Sequence, residues 1–263
     1  MGGEDLRNWL HKAELAAEAG DWTAAVHYYR AALQAGAADA DVHFGLGEAL
    51  AESGRLAEAE VALRQALDLD PQHADSLFAL GDLLFEARRG KEALAVYNRL
   101  LEAPEEAHEA WLRMGLVRFS DGELTEAIAC YERALALDAH SAFALNCLGE
   151  ALVAVDRLSE ALQVFQKALR EDDQEPQIHL NLAELYDALG ETSAAEEACR
   201  EALRLDRDFA EAHLLLGNLL LDQEQPQAAL GHYQAFLKLE QSEEARQLRE
   251  EVAAVVAGLK EEG

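Results

Sequence analysis

The chain is short of proline, cysteine and positive charge, and each shortage narrows what it can be. Only four of its 263 residues are proline, and half are hydrophobic, mostly Ala and Leu. That make-up fits an all-helical chain with ample apolar surface to bury, and it does not fit a disordered one. The three cysteines, Cys130, Cys147 and Cys199, form no C-x-x-C pair and join no His cluster at ligand spacing. So sparse and odd a set suits a reducing compartment better than a disulfide framework. No run approaches the roughly 18 apolar residues of a membrane span. Met1 to Leu10 holds acidic residues but lacks the apolar stretch of a signal peptide. The expectation is a soluble, cytoplasmic protein.

Cations are scarce relative to anions: 22 Lys and Arg stand against 51 Asp and Glu, a formal charge of −29. This argues against nucleic acid, whose phosphates require Lys and Arg to release their counterions. It argues equally against anionic membrane surfaces. A basic partner fits the balance, and so does a surface built only for solubility or a high-salt cytoplasm.

What the chain has in abundance is repetition. Ala25, Ala59, Ala93, Ala127, Ala161, Ala195 and Ala229 follow one another at a constant 34 residues, as do the seven leucines from Leu33 to Leu237. A 34-residue period without insertion is the mark of stacked helical hairpins. In the first helix of each hairpin a small residue recurs: Ala13, Gly47, Gly81, Gly115, Gly149, Ala183 and Gly217. In the second helix each periodic alanine is followed four residues later by Tyr29, Leu63, Tyr97, Tyr131, Phe165, Cys199 or Tyr233, on the same helical face. Small beside large lets facing helices interdigitate at native density. Gly20, Gly54, Gly122 and Gly190 stand where a helix closes in the left-handed conformation. Arg88, Asp156 and Glu224 occupy that place in the other hairpins, whose turns are expected to be less regular.

These residues resemble the tetratricopeptide repeat, a 34-residue helix-turn-helix with W-x2-L-G-x2-Y, then A-x3-F, then P. The fourth hairpin carries Trp111, Met114-Gly115, Ala127 and Tyr131, departing at Arg118 where the pattern has Tyr. The second matches through Leu46-Gly47, Ala59 and Pro71, the sixth through Leu182 and Tyr186. The resemblance implies an all-α, right-handed α-solenoid. Its expected organisation is an extension over residues 1–5 and seven tandem repeats over 6–243 (6–39, 40–73, 74–107, 108–141, 142–175, 176–209 and 210–243). A capping helix and tail follow over 244–263, with Leu248, Val252, Val255, Val256 and Leu259 on one stripe.

No catalytic constellation is present. Gly90-Lys91 lacks the upstream glycine and the following Ser or Thr of a phosphate loop, and H-E-x-x-H, G-x-S-x-G and G-x-G-x-x-G do not occur. His43, His179 and His213 fall where Trp9 and Trp111 sit in other repeats, which makes them packing residues. Neither enzyme activity nor a cofactor or metal is expected.

The resemblance also implies that the first helices line a concave groove where peptides lie. Two inward columns then carry Leu10, Phe44, Phe78, Leu112, Asn146, Leu180, Leu214 and Ala17, Ala51, Phe85, Phe119, Val153, Asp187, Leu221. Between them runs a ladder of Glu14, Glu48, Asp82, Glu150 and Glu184, broken by Leu116, with Asp41, Asp75, Glu109 and Glu211 as a second row. Carboxylates one helix spacing apart, roughly 10 Å, repel by only about 0.4 kcal/mol per pair in water, so the ladder is tolerable without a ligand. The candidate peptide-binding residues are Phe44, Glu48, Phe78, Asp82, Phe85, Leu112, Arg113, Phe119, Phe143, Asn146, Glu150, Asn181 and Glu184. An apolar stripe flanked by acids suits a protein or peptide partner bearing Lys or Arg beside apolar anchors. The aromatics equally serve packing. Members that clamp a chaperone's C-terminal carboxylate use Lys and Asn, then Asn, then Lys and Arg. Here Phe44 and Glu48, Ala79, and Glu109 and Arg113 stand there, one match in five, so that activity is not expected. Arg113, with Arg88, Arg89, Lys91 and Arg118 nearby, forms a positive island suited to an acidic group or to local charge balance. The expected function is therefore a non-catalytic interaction scaffold. A self-associating homo-oligomer and the targeting arm of an enzyme are the alternatives.

Overall fold

The computed structural model describes residues 2–262 and divides the chain into two compact units, Met1–Asp138 and Ala139–Gly263. The first unit holds helices α1 (Gly2–Glu18), α2 (Trp22–Gln34), α3 (Ala40–Glu52), α4 (Leu56–Leu69), α5 (Ala74–Glu86), α6 (Gly90–Leu100), α7 (Ala107–Ser120) and α8 (Leu124–Leu137). The second holds α9 (Ala142–Ala154), α10 (Leu158–Glu171), α11 (Pro176–Ala188), α12 (Thr192–Leu205), α13 (Ala210–Asp222), α14 (Pro226–Leu239) and α15 (Arg246–Glu262). Each unit is a solenoid-type stack of helical hairpins, four in the first and three plus α15 in the second. No strand occurs among the described residues. Helix α1 already includes Gly2, inside the stretch that the repeat count leaves as an extension.

Local chemistry sets the helix ends. Asp39 accepts a hydrogen bond from the Val42 N–H at 3.0 Å, Asp21 from Ala24 at 3.0 Å, and Ser141 from Ala144 at 3.3 Å, satisfying amides that a helix start leaves orphaned. Pro176 and Pro226 begin α11 and α14, where a missing N–H costs nothing.

Within each hairpin the turn is the same, contrary to the expected irregularity of three of them. Gly20, Gly54, Gly122 and Gly190 have φ of 71°, 76°, 77° and 75°, and Arg88, Asp156 and Glu224 adopt 59°, 61° and 59°. All seven close with the bond that runs five residues back, for example Arg55 N–H to the Leu50 carbonyl at 2.8 Å and Arg89 N–H to Leu84 at 2.8 Å. Packing of the two helices fixes the turn, and the non-glycine residues bear its strain.

The seven periodic alanines are all 0% exposed, so this column is the axis of each hairpin's packing. The periodic leucines are only half-buried except Leu67; the deeper column lies one residue earlier, at Ala32, Ala66, Leu100, Ala134, Ala168, Ala202 and Phe236. Gly47, Gly81, Gly115, Gly149 and Gly217 lie so close to Leu63, Tyr97, Tyr131, Phe165 and Tyr233 that a Cβ would overlap each ring or branch. Where the first helix carries Ala183, the facing residue is the small Cys199. Ala13 has a different solution. Tyr29 is only half-buried, and its ring lies against Gly45 of α3, within 2.5 Å of where a Cβ would stand.

At the end of the second unit, Val252 and Val256 of α15 are buried and Leu259 packs against the same cluster as Leu216, Tyr233 and Phe236. Leu248 and Val255 stay exposed, so the covering stripe is narrower than the sequence pattern suggests.

Candidate functional site

In the first unit, α3 and α5 border an open pocket of about 430 Å³. Its floor is apolar: Phe44 and Phe78 are half-buried and rest, with Phe85, on the core built from Leu63, Leu77, Leu80 and Leu84. Phe44 is held from the side by His73, ring centroids 5.6 Å apart. His73 is itself fixed. Its Nδ1 pairs with Ser76 Oγ at 2.8 Å at the start of α5, and its Nε2 lies 2.9 Å from Asp41.

The rim is acidic. Glu48, Glu52, Asp75, Asp82 and Glu86 line the pocket and no basic residue does. Burial pushes the Glu48 carboxyl above its ordinary pKa, and repulsion from Glu52 and Asp75 adds to the shift. Among the described residues Asp82 is the one rim acid with a side-chain partner: it accepts from Tyr97 Oη at 2.5 Å and from Arg113 Nη1 at 2.9 Å. Burial and this bond together push the Tyr97 phenol far up.

Arg113 also donates to Glu109 at 2.7 Å, so its charge is spent within the chain. Arg89 is likewise bound by Glu92 and Glu60, and Arg118 by Glu123. The expected positive island is therefore largely neutralised, and these side chains balance local carboxylates. Leu112 departs from expectation as well. It shares the register of Phe44 and Phe78 but is only 3% exposed, absorbed into helix packing. Phe119 is half-buried and does not line the α3–α5 pocket. Glu52 and Glu86 are pocket residues that the candidate set missed. Their signal was present, each lying four residues after Glu48 or Asp82 on the same face.

In the second unit, Asn146 and Asn181 are each 6% exposed and belong to a largely buried polar network. Asn181 Nδ2 donates to Asn146 Oδ1 at 2.9 Å and to Glu150 Oε1 at 2.7 Å; Asn146 Nδ2 donates to Glu150 at 2.8 Å; Gln177 Nε2 donates to Asn181 at 2.9 Å. The network ties α9 to α11 and satisfies groups whose burial would otherwise cost about 1–3 kcal/mol each. Glu184 carries a raised pKa, from desolvation first and then from Glu150 and Glu211. Phe143, 57% exposed, borders a pocket of about 200 Å³ together with Ile178 and Asn146.

The cysteines are buried; Cys147 and Cys199 have thiols pushed up to about 12 by desolvation, the opposite of a reactive nucleophile. Among the described residues no three His, Cys, Asp or Glu side chains converge to hold a metal ion, and no helix is long and apolar enough to cross a membrane. His213 and His232 pair through Nδ1 at 2.9 Å, and His179 Nε2 meets the Asp173 carbonyl at 3.1 Å.

The family model for the cilia and flagella-associated protein 70 C-terminal domain, a tetratricopeptide-repeat model, matches residues 34–252. A tetratricopeptide repeat protein from Parabacteroides merdae is similar in structure with TM-score 0.78 at 19% identity, covering 97% of this chain and all of that one. PilF of Pseudomonas aeruginosa follows with TM-score 0.66 at 22% identity over 81% of this chain and 97% of its own. YrrB, described as a tetratricopeptide protein with an unusual peptide-binding site, reaches TM-score 0.54 at 22% identity over 70% and 95%. At these identities the likeness is one of fold. No curated protein matches the chain.

Proposed function

Since the chain belongs to the tetratricopeptide-repeat family, the premise that matters is its hairpin faces, and we propose that it is a non-catalytic scaffold that holds a segment of a partner protein against its first helices. The segment carries Lys or Arg beside apolar side chains. The observation that supports this is the α3–α5 pocket, in which two half-buried phenylalanines lie beneath carboxylates of which, among the described residues, Asp82 alone is paired with a cation. Aromatic rings supply large contact area at small entropic cost, which is the usual make-up of an interaction hot spot. The carboxylates add orientation and speed of encounter with a basic partner more than raw affinity. YrrB, with its peptide-binding site, is a precedent for the fold in this role.

Of the candidate residues, Phe44, Glu48, Phe78, Asp82 and Phe85 belong to the pocket or its apolar floor. Phe119 extends the surface along α7, and Phe143 offers an exposed ring in the second unit. Asn146, Asn181, Glu150, Leu112 and Arg113 shape the scaffold rather than touch the partner. The test is affinity capture with cross-linking, repeated with Phe78→Ala and Phe119→Ala. Cross-links on α3, α5 or α7 and a loss of about tenfold or more in affinity, with folding intact, support the reading. Unchanged capture by both variants contradicts it.

A further inference from the structure

Resting on that scaffold reading, we propose that the α3–α5 pocket is a subsite for one arginine side chain of the partner, its guanidinium lying on Phe44 or Phe78 and hydrogen-bonded to Glu48 and Asp75. Four observations lead there. First, at about 430 Å³ the pocket has room for a long side chain and several waters, each of which takes roughly 30 Å³. Second, the chain spends its scarce cations on carboxylates elsewhere. Arg55 pairs with Glu58, Arg89 with Glu60 and Glu92, Arg157 with Glu160 and Arg204 with Glu201. Glu48, Glu52, Asp75 and Glu86 have no such partner among the described residues, which leaves them open to a cation from outside the chain.

Third, the acids do not converge as metal ligands do, which favours an extended organic cation over a bare ion. Fourth, the floor is aromatic, and the chain itself shows how a guanidinium uses such a surface: Arg133 sits 4.4 Å over the Trp111 ring. A planar, weakly hydrated guanidinium stacks flat while its five N–H groups reach two carboxylates at once. An ammonium is a compact, strongly hydrated point charge and gains less from the same walls. Burial first, and then repulsion from Glu52 and Asp75, raises the Glu48 carboxyl, and a bound cation would relieve the repulsive part.

The experiment is a titration of the full chain with N-acetyl-arginine amide, N-acetyl-lysine amide and N-acetyl-citrulline amide. Aromatic NMR signals of Phe44 and Phe78 are followed, assigned through Phe44→Leu and Phe78→Leu. The expected result is saturable shifts at both rings with arginine, at least about fivefold weaker binding of lysine, and no shift with isosteric but neutral citrulline. Glu48→Gln combined with Asp75→Asn should weaken the arginine response about tenfold while the circular-dichroism melt stays cooperative; if that pair misfolds, Glu48→Gln alone carries the comparison. Equal responses to arginine and lysine, shifts with citrulline, or indifference to the carboxylate variants overturn the proposal. The scaffold reading fails separately. A chain that captures a partner on α3 to α7 but takes up no arginine amide loses only the subsite; one that takes up arginine amide but captures nothing loses only the scaffold.

Discussion

The Tyr97 ring fills the space that a side chain on Gly81 would need, with its edge atoms inside contact distance of any Cβ placed there. Tyr97 is 1% exposed and Gly81 is buried, so neither can yield outward. Gly81→Ala is predicted to lower stability by about 1–3 kcal/mol through overpacking, measured by chemical denaturation. The sixth hairpin supplies the converse. There Ala183 faces Cys199, so Cys199→Tyr alone should be destabilising by a similar amount, and Ala183→Gly in the same chain should recover most of the loss. A double-mutant cycle that shows no coupling would remove the size-complementarity account.

The turns offer a gain instead. Arg88, Asp156 and Glu224 hold φ near 60°, a region that costs a side chain about 1 kcal/mol. Replacing each by glycine is expected to raise stability by about 0.5–1 kcal/mol, least for Asp156 because aspartate tolerates this conformation best. Gly54→Ala should cost about 1 kcal/mol from the backbone alone, since no atom lies within 4 Å of its Cβ position.

Glu48 lies one helical turn before Glu52, a like-charge pair that costs about 0.2–0.5 kcal/mol. Glu48→Gln is therefore predicted to raise stability slightly at pH 7 while weakening the binding of a basic peptide. A loss of stability instead would mean that the carboxylate makes a structural bond.

Two sets of carboxylates act in opposite senses with pH. Glu48 and Glu184 have raised pKa values, so the folded state binds their protons more tightly, and their unfavourable contribution fades as pH falls toward them. Glu58, Glu92, Glu160 and Glu201 are held below the ordinary 4.5 by hydrogen bonds from Arg55, Arg89, Arg157 and Arg204. Their contribution is present above that value and is lost as pH falls through their folded-state values. The melting temperature should accordingly rise from pH 7 to about pH 5 and fall below about pH 4. In Glu48→Gln with Glu184→Gln the rise should shrink. A monotonic fall from pH 7 downward would contradict the assignment.

The alanine column was legible because one small residue type recurs, and its complete burial follows from that pattern. The deeper column was less legible: it is alanine in five hairpins, but Leu100 and Phe236 break the repeat where a larger side chain fills the gap. Phe44 and Phe78 could be placed on one face by helical register, and the family resemblance made that face the groove. Leu112 has the same register, yet tertiary packing rather than periodicity decides whether a side chain surfaces. The pairing of Arg113 with Asp82 joins residues 31 apart on adjacent first helices, a distance relation that sequence spacing does not reveal. The left-handed turns at Arg88, Asp156 and Glu224 were obscured for the opposite reason: local preference pointed away from a conformation that helix packing imposes.

The central claim is that uncompensated acids over an aromatic floor recognise a basic, apolar segment. Fluorescence anisotropy of a labelled peptide alternating Arg and Leu tests it directly, with the native chain and with Glu48→Gln/Asp75→Asn, at about 50 mM and about 500 mM salt. The account predicts saturable binding that weakens about tenfold in the variant and falls steeply with salt in the native chain alone. Affinity that is the same for both proteins, or that does not respond to salt, would contradict it.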